Sequence, residues 1–141
     1  MPELPEVETI RRQLDKVLVG QKIKKIVKFH QKSLTSFAKA SAVEAGIIGK
    51  KIVGVKRRAK MIWIDLAGDL NLLIHLKMTG QLIYRSKMLD VRSLNKYTRV
   101  IFTLTKGKLY FNDLRLFGWI KIFPNSKIYA LISNLPPDVV D

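Results

Sequence analysis

The chain has 141 residues and a formal net charge of +15, with 26 Lys and Arg against 11 Asp and Glu, and it contains no cysteine. A disulfide framework and a cysteine-type zinc site within this chain are therefore excluded, and no apolar stretch approaches the roughly 18 residues of a membrane span. A hydrophobic content of 48% with 26% charged residues suits a single globular domain, and without a basic-then-apolar leader the expected compartment is the cytoplasm.

The N-terminus reads Met1, Pro2, Glu3, Leu4, Pro5, Glu6, Val7, Glu8. Initiator methionine is readily removed before proline, which would leave Pro2 as a secondary amine with the Glu3 and Glu6 carboxylates in reach. An amine nucleophile beside an acid suits imine chemistry on a masked aldehyde. A proline amine attacking C1′ of a sugar gives an iminium with no N–H proton to lose. That fixed cation is an electron sink that acidifies the C2′ hydrogens for elimination. Glu3 could serve as general acid at the ring oxygen or as a proton shuttle. The competing reading is a plain helix start, and on the Pro-Glu pair alone it is the better one. Pro5 suits a first turn, Val7, Ile10, Leu14 and Val17 fall on one face, and Gly20 is a stop. The spacing predicts a helix from Pro5 to Leu18.

From Gln21 to Lys60 there are twelve Lys or Arg and one acid, Glu44. A field of that sign suits a polyanion, nucleic acid first, with a solvated basic surface as the bland alternative. The pattern changes toward period two here, and Ile23, Ile26 and Phe29 sit in a basic, β-rich run. Strand-like runs follow at Ile52–Val55, Met61–Ile64, Leu70–Leu76 and Gly80–Arg85. Thr98–Thr105 and Lys108–Asn112 form a hairpin about Lys106 and Gly107, and Gly118–Phe123 closes the set. Two helical insertions are expected, Ser36–Ala45 and Ser126–Ser133, with a surface loop over Ser86–Lys96. The ending, Asn134 to Asp141, reads as a linker. Many short strands with turn signals predict a mainly β (α+β) domain, a sandwich or a barrel, with an N-terminal helix and one or two further short helices.

The opening residues Pro2–Thr9 with Arg11 and Arg12 resemble the amino-terminal signature of the formamidopyrimidine-DNA glycosylase and endonuclease VIII family. Three further patches match in order: Arg57-Arg58-Ala59-Lys60, His75-Leu76-Lys77-Met78-Thr79-Gly80, and Asp113-Leu114-Arg115-Leu116-Phe117-Gly118. The likeness is to the formamidopyrimidine branch and to its N-terminal catalytic domain, which implies a two-layer antiparallel β-sandwich with flanking helices. It implies such a domain over residues 1–135 and an interdomain linker from 136 to 141. The second domain, a helix–two-turn–helix with a zinc finger, would lie outside this chain.

The resemblance implies a bifunctional DNA glycosylase and abasic-site lyase that excises oxidised purines, 8-oxoguanine and formamidopyrimidines, in base excision repair. Pro2 would be the Schiff-base nucleophile, Glu3 the acid at the sugar, Glu6 its support, and Lys60 a phosphate contact assisting proton transfer. Met78 and Phe117 would fill the space left by a flipped nucleotide, and Arg115 would hydrogen-bond the orphaned base. His75 and Tyr97 would touch phosphate. Without the resemblance, Met78 and Phe117 read as core residues, Lys60 as a strand-end lysine and His75 as a buried histidine satisfied by backbone.

Two positions depart from the branch. Tyr97 stands where a DNA-contacting histidine is usual, so the contact keeps a donor but no charge, and Leu116 stands where a basic residue is frequent, which removes one phosphate contact. No organic cofactor or metal is expected in this chain, the family's structural zinc belonging to the other domain. The expected partner is double-stranded damaged DNA, with no membrane association, and the expected state is a monomer. The rival reading is a catalytically silent damaged-DNA-binding module. A basic RNA-binding β-domain is a weaker third, opposed by the acidic start.

Overall fold

The computed structural model describes residues 4–36, 46–86 and 95–133. Pro2 and Glu3, almost all of the expected Ser36–Ala45 helix, most of the expected Ser86–Lys96 loop and the expected linker lie outside the described residues.

Helix α1 spans Leu4–Leu18. Val7, Leu14 and Leu18 are buried, with Ile10 packed beside them. The expected fourth contact, Val17, is 39% exposed, and Leu18 takes its place. A step of four from Leu14 stays closer to the buried face than a step of three at 3.6 residues per turn. Gly20, at φ +92, ends the helix. Gln21 then caps it: Nε2 donates to Val17 O (2.7 Å) and to the Tyr84 hydroxyl (3.0 Å), while Oε1 accepts from Lys106 N (2.8 Å).

Nine strands follow among the described residues. β1 is Ile23–Lys28, β2 Leu34–Ser36, β3 Ile52–Arg58, β4 Met61–Leu66 and β5 Leu70–His75. β6 is Gly80–Arg85, β7 Thr98–Leu104, β8 Gly107–Asp113 and β9 Trp119–Pro124; helix α2 is Asn125–Ser133. They form two sheets, β1-β7-β8-β6 and β2-β9-β5-β4-β3. The sandwich is antiparallel except that β2 runs parallel to β9. Sequence periodicity does not reveal β2, since three residues are too few for a period to register. Ser36 ends that strand instead of starting a helix, and Phe29, just past the end of β1, is 56% exposed.

Alternation in the strands turns one face of each sheet inward. Phe102, Phe111, Ile62, Ile64, Leu72 and Ile74 are fully buried in the core that α1 also joins. Each such side chain contributes about 1.5–3 kcal/mol of burial. A second, smaller cluster on the outer face of the five-stranded sheet, Met61, Trp63, Leu73 and Ile128, receives α2. Buried Asn71 anchors that helix: it accepts from Trp63 Nε1 (2.6 Å) and donates to Asn125 Oδ1 (2.7 Å).

α1 lies along edge strand β3. Arg11 Nη1 donates to Val55 O and Val55 N donates to Asp15 Oδ1, both at 3.2 Å, so helix side chains satisfy backbone groups of the edge strand. Glu8 fastens the contact. Its carboxylate accepts from Arg11 Nη2 (2.9 Å), Arg12 Nε (2.8 Å) and Arg57 Nε (3.0 Å). These guanidiniums, Arg11 foremost, hold its carboxyl at about 2, well below the ordinary 4.5.

A carboxyl depressed on folding contributes stability that is complete above its unfolded value and lost as pH falls through the folded one. The Glu8 contribution should therefore disappear between about pH 4.5 and 2. Glu8→Gln should be less stable at neutral pH, by roughly 1–3 kcal/mol, because one carboxylate acceptor becomes an amide donor facing the guanidiniums. Its melting temperature should converge with that of the parent chain near the acid end. A constant difference across that window would show that charge on Glu8 is not what docks the helix.

Candidate nucleic-acid interface

Strand register places one set of loops together. Arg58 pairs with Met61, Met61 with His75, and His75 with Trp119, so the end of β3, start of β4, end of β5 and start of β9 share one end of their sheet. In the other sheet Gly80 pairs with Asp113, and Thr98 with Asn112. Two connections cross between the sheets at this end, 76–79 and 114–118. The β3–β4 turn, the Tyr97 turn and the first turn of α1 open there too.

Lys60 sits on the β3–β4 turn beside Ala59, whose φ is +52. Arg57 holds that turn against α1, donating from Nη1 to Ala59 O (2.9 Å) and from Nε to Glu8 Oε1 (3.0 Å). Neither Glu8 nor Arg57 draws a role from sequence. The spacing of Glu8 to Arg11 and Arg12 is a legible signal of a helical ion pair; the third guanidinium arrives from 49 residues away and leaves none.

His75 ends β5, half-buried against Trp119, with ring centroids 5.7 Å apart. Its Nδ1 accepts from Lys77 N at 3.0 Å. Burial, then the charges of Lys77 and Lys60, push its pKa below the usual imidazole value. The ring is thus neutral at physiological pH, and with Nδ1 accepting, the proton is on Nε2 as a donor. The backbone-satisfied alternative is half right: the backbone takes one nitrogen and leaves the other.

Met78 is 47% exposed and Phe117 53% exposed, so neither belongs to the core. Leu114 (53%) and Leu116 (39%), the latter at φ +61, are further exposed apolar residues on the 114–118 connection. Leu114 lies in the 113–118 patch but draws no role from sequence. Arg115 is exposed between them, and its N–H donates to Thr79 Oγ1 (3.2 Å). Exposed apolar residues gathered on one rim mark an interaction surface. Here Lys60, Lys77, His75 and Arg115 share that rim.

The glycines after Met78 and Phe117 follow from close packing. A Cβ on Gly80 would lie 2.5 Å from Leu76 O, and one on Gly118 2.9 Å from His75 O and 3.0 Å from Asp113 Oδ2. Each loop turns back on backbone that cannot move aside.

Two grooves flank the start of β6. One, of about 400 Å³, is lined by Glu6, Ile10, Met78 and Thr79 through Ile83. The other, of about 310 Å³, is lined by Thr79, Gln81, Asn95, Tyr97, Asn112, Asp113 and Leu114. Glu6 and Met78 thus share one groove, and Tyr97 faces the other. Among the described residues no group of three or more His, Asp or Glu is placed to hold a metal ion.

A family model described as the formamidopyrimidine-DNA glycosylase N-terminal domain matches residues 1–120. A formamidopyrimidine-DNA glycosylase of Acidothermus cellulolyticus is 40% identical over 146 residues, covering 100% of this chain and 50% of its own. The crystal structure of Lactococcus lactis FPG (MutM) with a FAPY-dG-containing DNA matches with a TM-score of 0.81 at 30% identity, covering 92% of this chain and 47% of that one. A structure of MutM with carbocyclic 8-oxo-G-containing DNA matches with a TM-score of 0.84 at 31% identity, covering 94% and 49%. The chain spans about half the length of the curated relatives it matches.

Proposed function

Because the chain belongs to the formamidopyrimidine-DNA glycosylase family through its N-terminal domain, we propose that it is the catalytic half of a bifunctional DNA glycosylase and lyase acting on oxidised purines in duplex DNA. Once Met1 is removed, the Pro2 nitrogen lone pair would form a bond to C1′ of the damaged nucleotide. The glycosidic bond breaks with its electron pair leaving on the base, which takes up the proton that the Pro2 nitrogen gives up, and protonated Glu3 passes its proton to the ring oxygen as the C1′–O bond opens to the iminium. The resulting iminium accepts the electrons released when C2′ loses a proton. β-Elimination then expels the 3′ phosphate, and δ-elimination the 5′ phosphate. The residues ask no metal or organic cofactor for this sequence.

Glu6 would support the acid, Lys60 and the Nε2–H of His75 would hold phosphates, and Tyr97 would donate an uncharged contact. Met78 and Phe117 would enter the stack while Arg115 bonds the widowed base. The observation that carries this reading is that exposed Met78 and Phe117 stand on connections at the same end of the sandwich as Lys60, His75 and Arg115, with Met78 lining the groove that also contains Glu6. A polyanion with a hydrophobic interior that can be parted matches both halves of that surface. The relatives whose structures resemble this chain were solved with Fapy-dG and carbocyclic 8-oxo-G DNA. The protein would work as a cytoplasmic monomer.

Intact mass shows whether Met1 is gone, and borohydride trapping on abasic-site duplex shows the imine. With Pro2 free, a covalent adduct of one protein per strand is expected. No adduct at saturating protein would leave only the silent DNA-binding module. Independently, Met78→Ala should lower the fluorescence rise of 2-aminopurine placed at the lesion pair by roughly tenfold, while nonspecific affinity stays within about twofold. Equal loss of both would remove Met78 from the wedge.

A further inference from the structure

Among the described residues, Asp113 is a buried ionisable group that the proposed chemistry leaves unused. It ends β8 and is 1% exposed. Its two carboxylate oxygens reach different loops: Oδ1 accepts from the Thr79 hydroxyl (2.5 Å), and Oδ2 from Gly118 N–H (2.7 Å). Thr79 Oγ1 accepts in turn from Arg115 N–H. Thr79 is one residue beyond Met78 and Gly118 one beyond Phe117. The backbone of Asp113 ties in a third segment, donating to Tyr97 O (2.9 Å) and accepting from Arg99 Nε (2.8 Å).

We propose that Asp113 is a positioning residue for strand parting: its carboxylate fixes Met78, Arg115 and Phe117 as one rigid unit. This rests on the wedge reading above. A wedge must enter the stack as the nucleotide leaves it, and two independent loops would each lose conformational freedom at that moment. Loops already bonded to one buried carboxylate lose little. Both donors need an acceptor, and the Asp113 side chain presents one oxygen to each. The substitution Asp113→Asn would turn one acceptor into a donor facing either the Gly118 N–H or the Thr79 hydroxyl. Gly80 and Gly118 complete the lock by letting the loops close on backbone with no room for a Cβ.

The test compares Asp113→Asn, Thr79→Val and Met78→Ala in the 141-residue chain. Two readouts are taken: 2-aminopurine fluorescence at the lesion pair in duplex, and imine trapping on single-stranded abasic DNA, where nothing needs parting. Both clamp variants should lose roughly ten- to a hundredfold in the duplex signal, as expected for a misplaced active group. Trapping on the single strand should stay within about twofold of the parent chain. A wild-type duplex signal in Asp113→Asn, with Met78→Ala impaired, overturns the clamp and leaves the wedge standing. A wild-type signal in Met78→Ala removes the wedge itself. If Asp113→Asn does not fold, Thr79→Val decides alone, and normal parting by that variant overturns the proposal. Fluorescence needs no working nucleophile, so failure of the lyase reading is seen separately.

Discussion

Pro2→Gly is expected to lower the rate of borohydride-trapped adduct on abasic-site DNA by on the order of a hundredfold. Glycine at that position offers a primary amine, so an imine can still form. It can also lose its N–H proton and with it the positive charge that drives elimination. Proline's iminium has no such proton, and its cation persists until C2′ is deprotonated. A chain in which Met1 stays attached should give no adduct at all, because its Pro2 nitrogen is an amide. Covalent geometry keeps Pro2 within about 7 Å of Leu4, where α1 begins. Glu6, one turn into the helix, lines the groove shared with Met78. If Pro2→Gly traps as fast as the parent chain, the nucleophile is another amine, and the Lys60 side chain becomes the first to test.

Phe111→Ala should cost about 3–5 kcal/mol of stability, a fall of roughly 10 °C or more in Tm. Phe111 is fully buried on β8, paired with Leu82 on one side and Val100 on the other. Its ring tip lies 3.1 Å from where a Cβ on Gly118 would stand. The cavity would therefore open beneath the 114–118 connection, not in the middle of the sandwich. DNA-dependent fluorescence should fall as well, even at temperatures where the variant is fully folded. Loss of stability with normal strand parting would show that the loop is held by Asp113 alone. A change below about 1 kcal/mol would mean that the core refills the space, against the packing described.

Much of the fold is legible because burial leaves a period in the sequence. Val7, Ile10 and Leu14 mark the helix, and Gly80–Arg85 is bounded in the structure as its alternation predicts. β2 leaves no such trace, being three residues held by pairing with distant β9. The site is legible in a different way. Lys60, His75, Met78, Arg115 and Phe117 stand in ordered patches that resemble one family, and the family model spans the same residues. By themselves Met78 and Phe117 read as core, since residue type alone cannot tell an apolar side chain held inside from one held out.

The partners of these residues are not legible. Glu8 meets Arg57 across 49 positions, and Asp113 meets Thr79 across 34. Contacts of that separation follow from strand order, which local periodicity does not encode. From sequence alone come the charge that suits a polyanion, the helix, most of the strands and the potential nucleophile at Pro2. Tertiary structure decides which loops share an end, that Met78 and Phe117 face solvent, and that one buried carboxylate serves both of their loops. The physical reason is the same throughout. Burial acts residue by residue and is written locally, whereas hydrogen-bond satisfaction in the interior is a condition on the whole folded chain.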